Sequence, residues 1–172
     1  RPAVVVCSRT RTTTTSSFSC TVFRCDVTTS LFFFLHSHTP HDVAKAIIRG
    51  FKTIDRNLIL LAPTYSELIK AGEYYGIKCI EEGFADRAYM SDGSLSSRSL
   101  KGSVITNIET AVNQAIEIAK GEKIKTLDGK RIYLPAKSIC IHGDKEEALN
   151  QAKAIKKGLI ENSFELVNLN QI

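Results

Sequence analysis

No apolar run in this chain approaches the roughly 20 residues that a membrane-spanning helix needs; the run from Leu31 to Leu35 is far shorter. No transmembrane helix is predicted. No stripe of interleaved basic and aromatic residues is present either, so a pI near 9.0 does not point to a nucleic-acid partner. Arg1, Arg9, Arg11 and Arg24 against Asp26 place +3 of the formal charge of +5 in the first forty residues, leaving +2 for the rest. The five cysteines lack the spacing of metal ligands. Cys79 and Cys140, set in apolar segments, read instead as small buried hydrophobes of a reducing compartment. No repeat of fixed period is visible.

The first forty residues lack Lys, Glu and Gly altogether, yet contain fifteen Ser and Thr. Composition shifts abruptly at His41. Two readings remain open for residues 1–40. An Arg-rich, Ser-rich, acid-poor segment describes a transit peptide, although no amphipathic helix accompanies it. The segment could also be mis-translated, an intron or upstream region read as coding sequence. Either way it is expected to be disordered or arbitrarily placed, and it is left out of the fold reading.

From residue 41 onward the hydrophobic periods are regular, and 43% hydrophobic content is enough to build one core. Val43, Ala46, Ile47, Phe51 and Ile54 predict an amphipathic helix. Leu58 to Ala62 predicts a strand covered on both faces and stopped by Pro63. Thr64 with Glu67 forms a capping box for a helix that closes at Gly76, and Ile77 to Glu81 is the next strand. A second capping box, Thr106 with Glu109, opens a helix ending at Gly121. Lys123 to Leu134 then changes period around Asp128-Gly129, which predicts a β-hairpin. Ser138 to His142 is a short buried strand, Asp144 with Glu147 caps a helix through Glu161, and Phe164 to Val167 adds a last strand. Strands alternating with helices predict an α/β fold with a parallel sheet.

Two polar clusters interrupt this plan. Gly83 to Arg98 follows a strand and contains Asp86, Arg87, Tyr89, Asp92 and Arg98, with a turn at Asp92-Gly93. Ile141-His142-Gly143-Asp144 ends a strand in an imidazole. Ligand sites of parallel α/β folds lie beyond the carboxyl ends of their strands, so the two clusters are expected to face one cleft. His142 suits general acid–base chemistry near neutral pH, and Asp86 is its carboxylate counterpart. Asp144 is a third catalytic candidate, although a capping role already accounts for it. Arg87 and Arg98 could grip a carboxylate or phosphate with two prongs, or they could pin a long loop by salt bridges. Tyr89 and Gly143 complete the binding candidates, and Tyr89 could equally cover an edge of the fold. No metal-ligand set is predicted.

The segments Phe84-Ala-Asp-Arg-Ala-Tyr89, Asp92-Gly-Ser-Leu95, Arg98, Gly102, Val104-Ile105, Asp128-Gly129 and Ile139-Cys-Ile-His-Gly-Asp144 occur in order and almost without gaps. From about residue 42 to about residue 167 the chain resembles the C-terminal half of the LamB/YcsF family, the family of the 5-oxoprolinase A subunit. The resemblance implies a partial β/α barrel akin to sugar deacetylases, with its N-terminal half missing. It also implies opening of 5-oxo-L-proline, or a related lactam, to L-glutamate at the expense of ATP, with Mg2+ expected alongside. The B and C subunits of 5-oxoprolinase are the implied partners, and the cytoplasm is the expected compartment. The family's N-terminal segments, among them Asn-Cys-Asp-Leu-Gly-Glu and Lys-Pro-His-Gly-Ala-Leu-Tyr, do not occur here. The chain is accordingly expected to be inactive and marginally stable by itself. Alternatives are a deacetylase or amidohydrolase on the same barrel, which a metal requirement would favour, and a non-catalytic binding remnant.

Overall fold

The computed structural model describes residues 3–9, 30–32, 39–55, 57–142 and 147–171. Strands are β1 (Ala3–Arg9), β2 (Ser30–Phe32), β3 (Ile59–Pro63), β4 (Lys78–Phe84), β5 (Ile124–Lys125), β6 (Arg131–Ile132), β7 (Ser138–His142) and β8 (Glu165–Leu166). Helices are α1 (His41–Ile54), α2 (Glu67–Tyr74), α3 (Ile108–Lys120) and α4 (Ala148–Glu161), and a 3-10 turn spans Leu169–Gln171. Six strands form one parallel sheet in the order β2-β3-β4-β7-β1-β8. β5 and β6 pair separately and antiparallel, as the hairpin pattern predicts, around a turn in which Gly129 takes a φ of +85°.

Two of the six sheet strands come from the segment that the composition sets apart. Within residues 1–40, β1 pairs with both β7 and β8 and β2 pairs with β3. A run of three valines has the β-branched chemistry that strands favour. Each of β7 and β3 would otherwise show a bare ladder edge. Residues 10–29 and 33–38 lie outside the described residues.

Burial follows the sequence periods. On α1 the buried positions are Ala44, Ile48 and Phe51, spaced four and three apart. They pack with Leu68 of α2 against Leu60 and Ala62 of β3. The opposite face of the same strands, Ile59, Leu61 and Ile80, is covered by Leu169 and Val167 of the C-terminal segment. A second cluster joins Ala111, Ala115 and Ile118 of α3 to Ile139 and Ile141 of β7 and to Ile155 and Leu159 of α4. Two-sided burial explains the continuous apolar runs of β3 and β7.

Helix starts differ from the predicted capping boxes by one or two residues. Ser66 caps α2, its hydroxyl accepting from the Ile69 amide. Thr64 cannot, because its amide still continues the sheet, donating to Glu82 O at 3.1 Å. The turn between them places Tyr65 in the left-handed region, at φ 60°. Asn107, not Thr106, caps α3 by accepting from the Thr110 amide at 2.8 Å. The predicted Asp144 cap lies outside the described residues, and α4 opens after Glu147 with no side-chain cap.

β4 is longer at its carboxyl end than its sequence suggests. Pairing with β7 continues through Gly83↔Ile139 and Phe84↔Cys140 after β3 has ended, so the polar segment begins at Ala85. Close approach also fixes Gly72 on α2, where a Cβ would lie 2.4 Å from Cys79 Sγ and 2.9 Å from Leu60 Cδ2. Gly72→Ala is therefore expected to destabilise the fold by about 1–3 kcal/mol through overpacking, despite the roughly 1 kcal/mol that Ala gains over Gly within a helix. Urea unfolding of Gly72→Ala alone and with Cys79→Ala measures it. The double variant is expected to recover part of the loss.

Candidate functional site

The site is built where β4 and β7 end side by side. Beyond Phe84 the chain leaves the strand, but the Ala85 amide still donates to Cys140 O of β7 at 3.1 Å, and Asp86 O accepts from the Ile105 amide at 2.9 Å. This carries the Asp86 carboxylate to the next position up β7. There Asp86 Oδ1 and Oδ2 lie 2.8 and 3.0 Å from His142 Nδ1, and the His142 backbone amide donates to Oδ2 at 3.3 Å. Asp86 is buried at 1% exposure, whereas the His142 side chain keeps 18%. The imidazole stacks on Phe84, with centroids 5.6 Å apart and planes inclined by 20°. A carboxylate only accepts, so Nδ1 carries the hydrogen and Nε2 is left as the proton-accepting atom.

Arg87 turns the other way. Its Nε donates to Ser103 O at 3.2 Å and its Nη2 to Ser96 O at 2.6 Å. The residue is 7% exposed. Burial, with the positive charge of Arg98 behind it, pulls the guanidinium below its ordinary pKa, while Asp86 and Tyr89 act in the opposite sense. Arg87 thus holds the two limbs of the 85–107 segment together, which matches the loop-pinning alternative except that carbonyls, not salt bridges, are its partners. Tyr89 is likewise internal, at 1% exposure. Its hydroxyl accepts from the Phe84 amide at 2.8 Å, and burial pushes the phenol pKa up. Tyr89 therefore finishes the ladder of β4 instead of lining a cleft. Arg98 is exposed. Gly143 and Asp144 lie outside the described residues.

Two polar residues that the sequence reading passed over are central here. Gln114 of α3, 6% exposed, donates from Nε2 to Phe84 O and Arg87 O, both at 2.8 Å. Its signal was available, because it is the polar member of the buried stripe Ala111, Ala115 and Ile118. Glu82 of β4 is fully buried and in register with Ser138 of β7, whose hydroxyl has no hydrogen-bond partner among the described residues. One of two adjacent glutamates, it carries no sequence signal. Among the described residues no group of three or more His, Cys, Asp or Glu could hold a metal ion. Also among them, no helix is long and apolar enough to cross a membrane.

The pattern of the LamB/YcsF family matches residues 33–172, extending upstream of the resemblance read from motifs. A 5-oxoprolinase A subunit from Clostridium beijerinckii is 42% identical over 130 residues, which cover 76% of this chain and 51% of that protein. Another, from Coprothermobacter proteolyticus, is 39% identical over 132 residues, 77% of this chain and 51% of the relative. The lactam utilization protein of Thermus thermophilus is similar in structure, with a TM-score of 0.70 at 28% identity over 76% of this chain and 51% of that one. The chain spans about half the length of the curated relatives it matches.

Ser103 O keeps the Ala88 amide as a donor at 2.9 Å, so Arg87→Ala orphans one buried carbonyl, Ser96 O, and is expected to destabilise the fold by about 1–3 kcal/mol. Arg87→Lys is expected to restore little of it, since an ammonium lacks the planar fork; chemical denaturation of both variants checks this. Burial first, then the charges of Glu73 and Glu81, pushes the Cys79 thiol up to about 11. At neutral pH the thiolate is then scarce. Mass-spectrometric mapping of iodoacetamide labelling is expected to find Cys79 unmodified in the folded chain and modified in urea.

Proposed function

The chain belongs to the LamB/YcsF family, and on that premise we propose that it supplies the acid–base pair with which a 5-oxoprolinase opens 5-oxo-L-proline to L-glutamate. The observation that carries this reading is the Asp86–His142 pair at the carboxyl ends of β4 and β7. Asp86 holds the Nδ1 hydrogen, so Nε2 takes a proton from water as the water oxygen bonds to the lactam carbonyl carbon. The imidazolium then returns that proton to the ring nitrogen as the C–N bond breaks. The products are one amine and one carboxylic acid, the two groups of glutamate that the lactam had joined. The stack on Phe84 holds the imidazole plane while the proton moves.

Use of ATP with Mg2+, implied by the family, is assigned to the assembled enzyme. Of the two arginines considered for phosphate, the buried guanidinium of Arg87 is already bonded to Ser96 and Ser103, and Arg98 is exposed. No step is routed through the nucleotide here. Relatives named as the A subunit of 5-oxoprolinase support further subunits, which we take to be B and C. The parallel sheet is read as an arc of a β/α barrel, with β2 and β8 as its ends among the described residues. A second reading, a binding remnant without catalysis, is favoured by the inward use of Arg87 and Tyr89, whose polar groups are bonded to the backbone of their own segment.

An assay of glutamate release from 5-oxo-L-proline, with ATP and the partner subunits present, separates the two. His142→Gln and Asp86→Asn are each expected to lower the rate by about 10²–10⁴-fold. The chain alone is expected to release none. Rates unchanged by both substitutions in an active assembly would assign the chemistry elsewhere.

A further inference from the structure

Asp86 can hold His142 only if the arc that carries it is itself held. The arc 84–87 has two anchors in its middle, the Ala85 amide on Cys140 O and the Ile105 amide on Asp86 O. Its two ends are both held by one side chain. Gln114 reaches from α3 and donates to Phe84 O and Arg87 O at 2.8 Å each, with Ala85 O at 3.4 Å between them. A carboxamide nitrogen has two hydrogens, and the two short bonds use both. Every other buried position on α3 is apolar, Ala111, Ala115 and Ile118, so docking the helix does not by itself call for an amide.

We infer that Gln114 is a positioning residue: its carboxamide sets the 84–87 arc so that the Asp86 carboxylate meets His142 Nδ1 and keeps the imidazole in the tautomer with Nε2 bare. This rests on the reading of Asp86–His142 as the acid–base pair. Chemistry by such a pair tolerates little misplacement, because a displacement of about 1 Å far from the reacting atoms can cost on the order of 10²-fold. Removing the two donors leaves Phe84 O and Arg87 O buried without them, and the arc then relaxes toward other donors and carries Asp86 with it.

The test uses the full 172-residue chain with 15N-labelled histidine. Ring-nitrogen chemical shifts of His142 are recorded for the unsubstituted chain, Gln114→Met, Asp86→Ala and a core control on α4, Ile155→Val, each below its unfolding transition. Gln114→Met is expected to shift the His142 ring nitrogens toward the mixed-tautomer values of Asp86→Ala and to lose the hydrogen-bonded Nδ1 proton resonance. Ile155→Val is expected to lower Tm and leave both unchanged. Gln114→Met shifts equal to those of the unsubstituted chain, whatever its Tm, would reduce Gln114 to a stability role and overturn the inference. If the Met variant does not fold, Gln114→Asn, which keeps the donors but withdraws them, is read the same way; failure of both to fold also overturns it. No outcome depends on turnover, so an assembly that releases no glutamate would refute the proposed function and leave this result standing.

Discussion

The parallel pairing of β4 with β7 is the constraint on which the rest of the structure depends. Residues 82–84 lie in register with 138–140, so the two strands end at neighbouring points, and the Ala85 amide extends the ladder one step to Cys140 O. From there Asp86 meets His142 across 2.8 Å, although 56 residues separate them in the chain. A slip of one residue would turn every side chain of one strand to the other face. Asp86 would then be carried away from the imidazole, and Ile139 and Ile141 would leave the core that they share with α3 and α4. The same register thus serves the core and the candidate site.

Much of the polar chemistry between Ala85 and Asn107 is spent on the backbone of that segment. Arg87 closes on Ser96 and Ser103, the Ser96 hydroxyl donates to Ala88 O, and Asp92 accepts from the amide and hydroxyl of Ser94. Short antiparallel bridges, Arg87 with Val104 and Tyr89 with Leu95, fold the segment back on itself. A long connection without helix or sheet leaves many peptide groups to satisfy, and here side chains of the segment itself satisfy several of them. Richness in polar residues therefore marks the cost of ordering the loop as much as it marks a ligand. Within the two polar clusters, Asp86 pairs with an imidazole, His142, that keeps 18% of its side chain exposed.

Around this centre the fold follows the logic of a parallel sheet. Helices α1 and α2 cover one side of β3, and the C-terminal segment through Leu169 covers the other. Strands β1 and β2 lie at or before the margin of the family match, which begins at residue 33, yet they occupy places in the same sheet. Any parallel strand of suitable residues gains ladder bonds there, because the open edges of β7 and β3 present amides and carbonyls along their length.

Hydrophobic period and local chemistry by themselves determined the helices and strands after residue 41, the β5–β6 hairpin, the glycine ends of α2 and α3, and the two polar clusters at strand ends. Those are short-range properties, legible because each depends on spacing along the chain. The caps fall at Ser66 and Asn107 instead of Thr64 and Thr106 because several neighbouring residues can cap, and at α2 the sheet bond of the Thr64 amide decides the choice. The strand character of 3–9 and 30–32 was hidden by a composition foreign to the rest, and partners far along the chain supply it. Tertiary structure alone decided which polar residues face the site. Asp86 and Arg87 are adjacent in sequence, yet one meets an imidazole and the other two carbonyls of its own loop. Gln114 matters only because α3 packs beside the end of β4, a contact between residues 30 apart that no local pattern encodes.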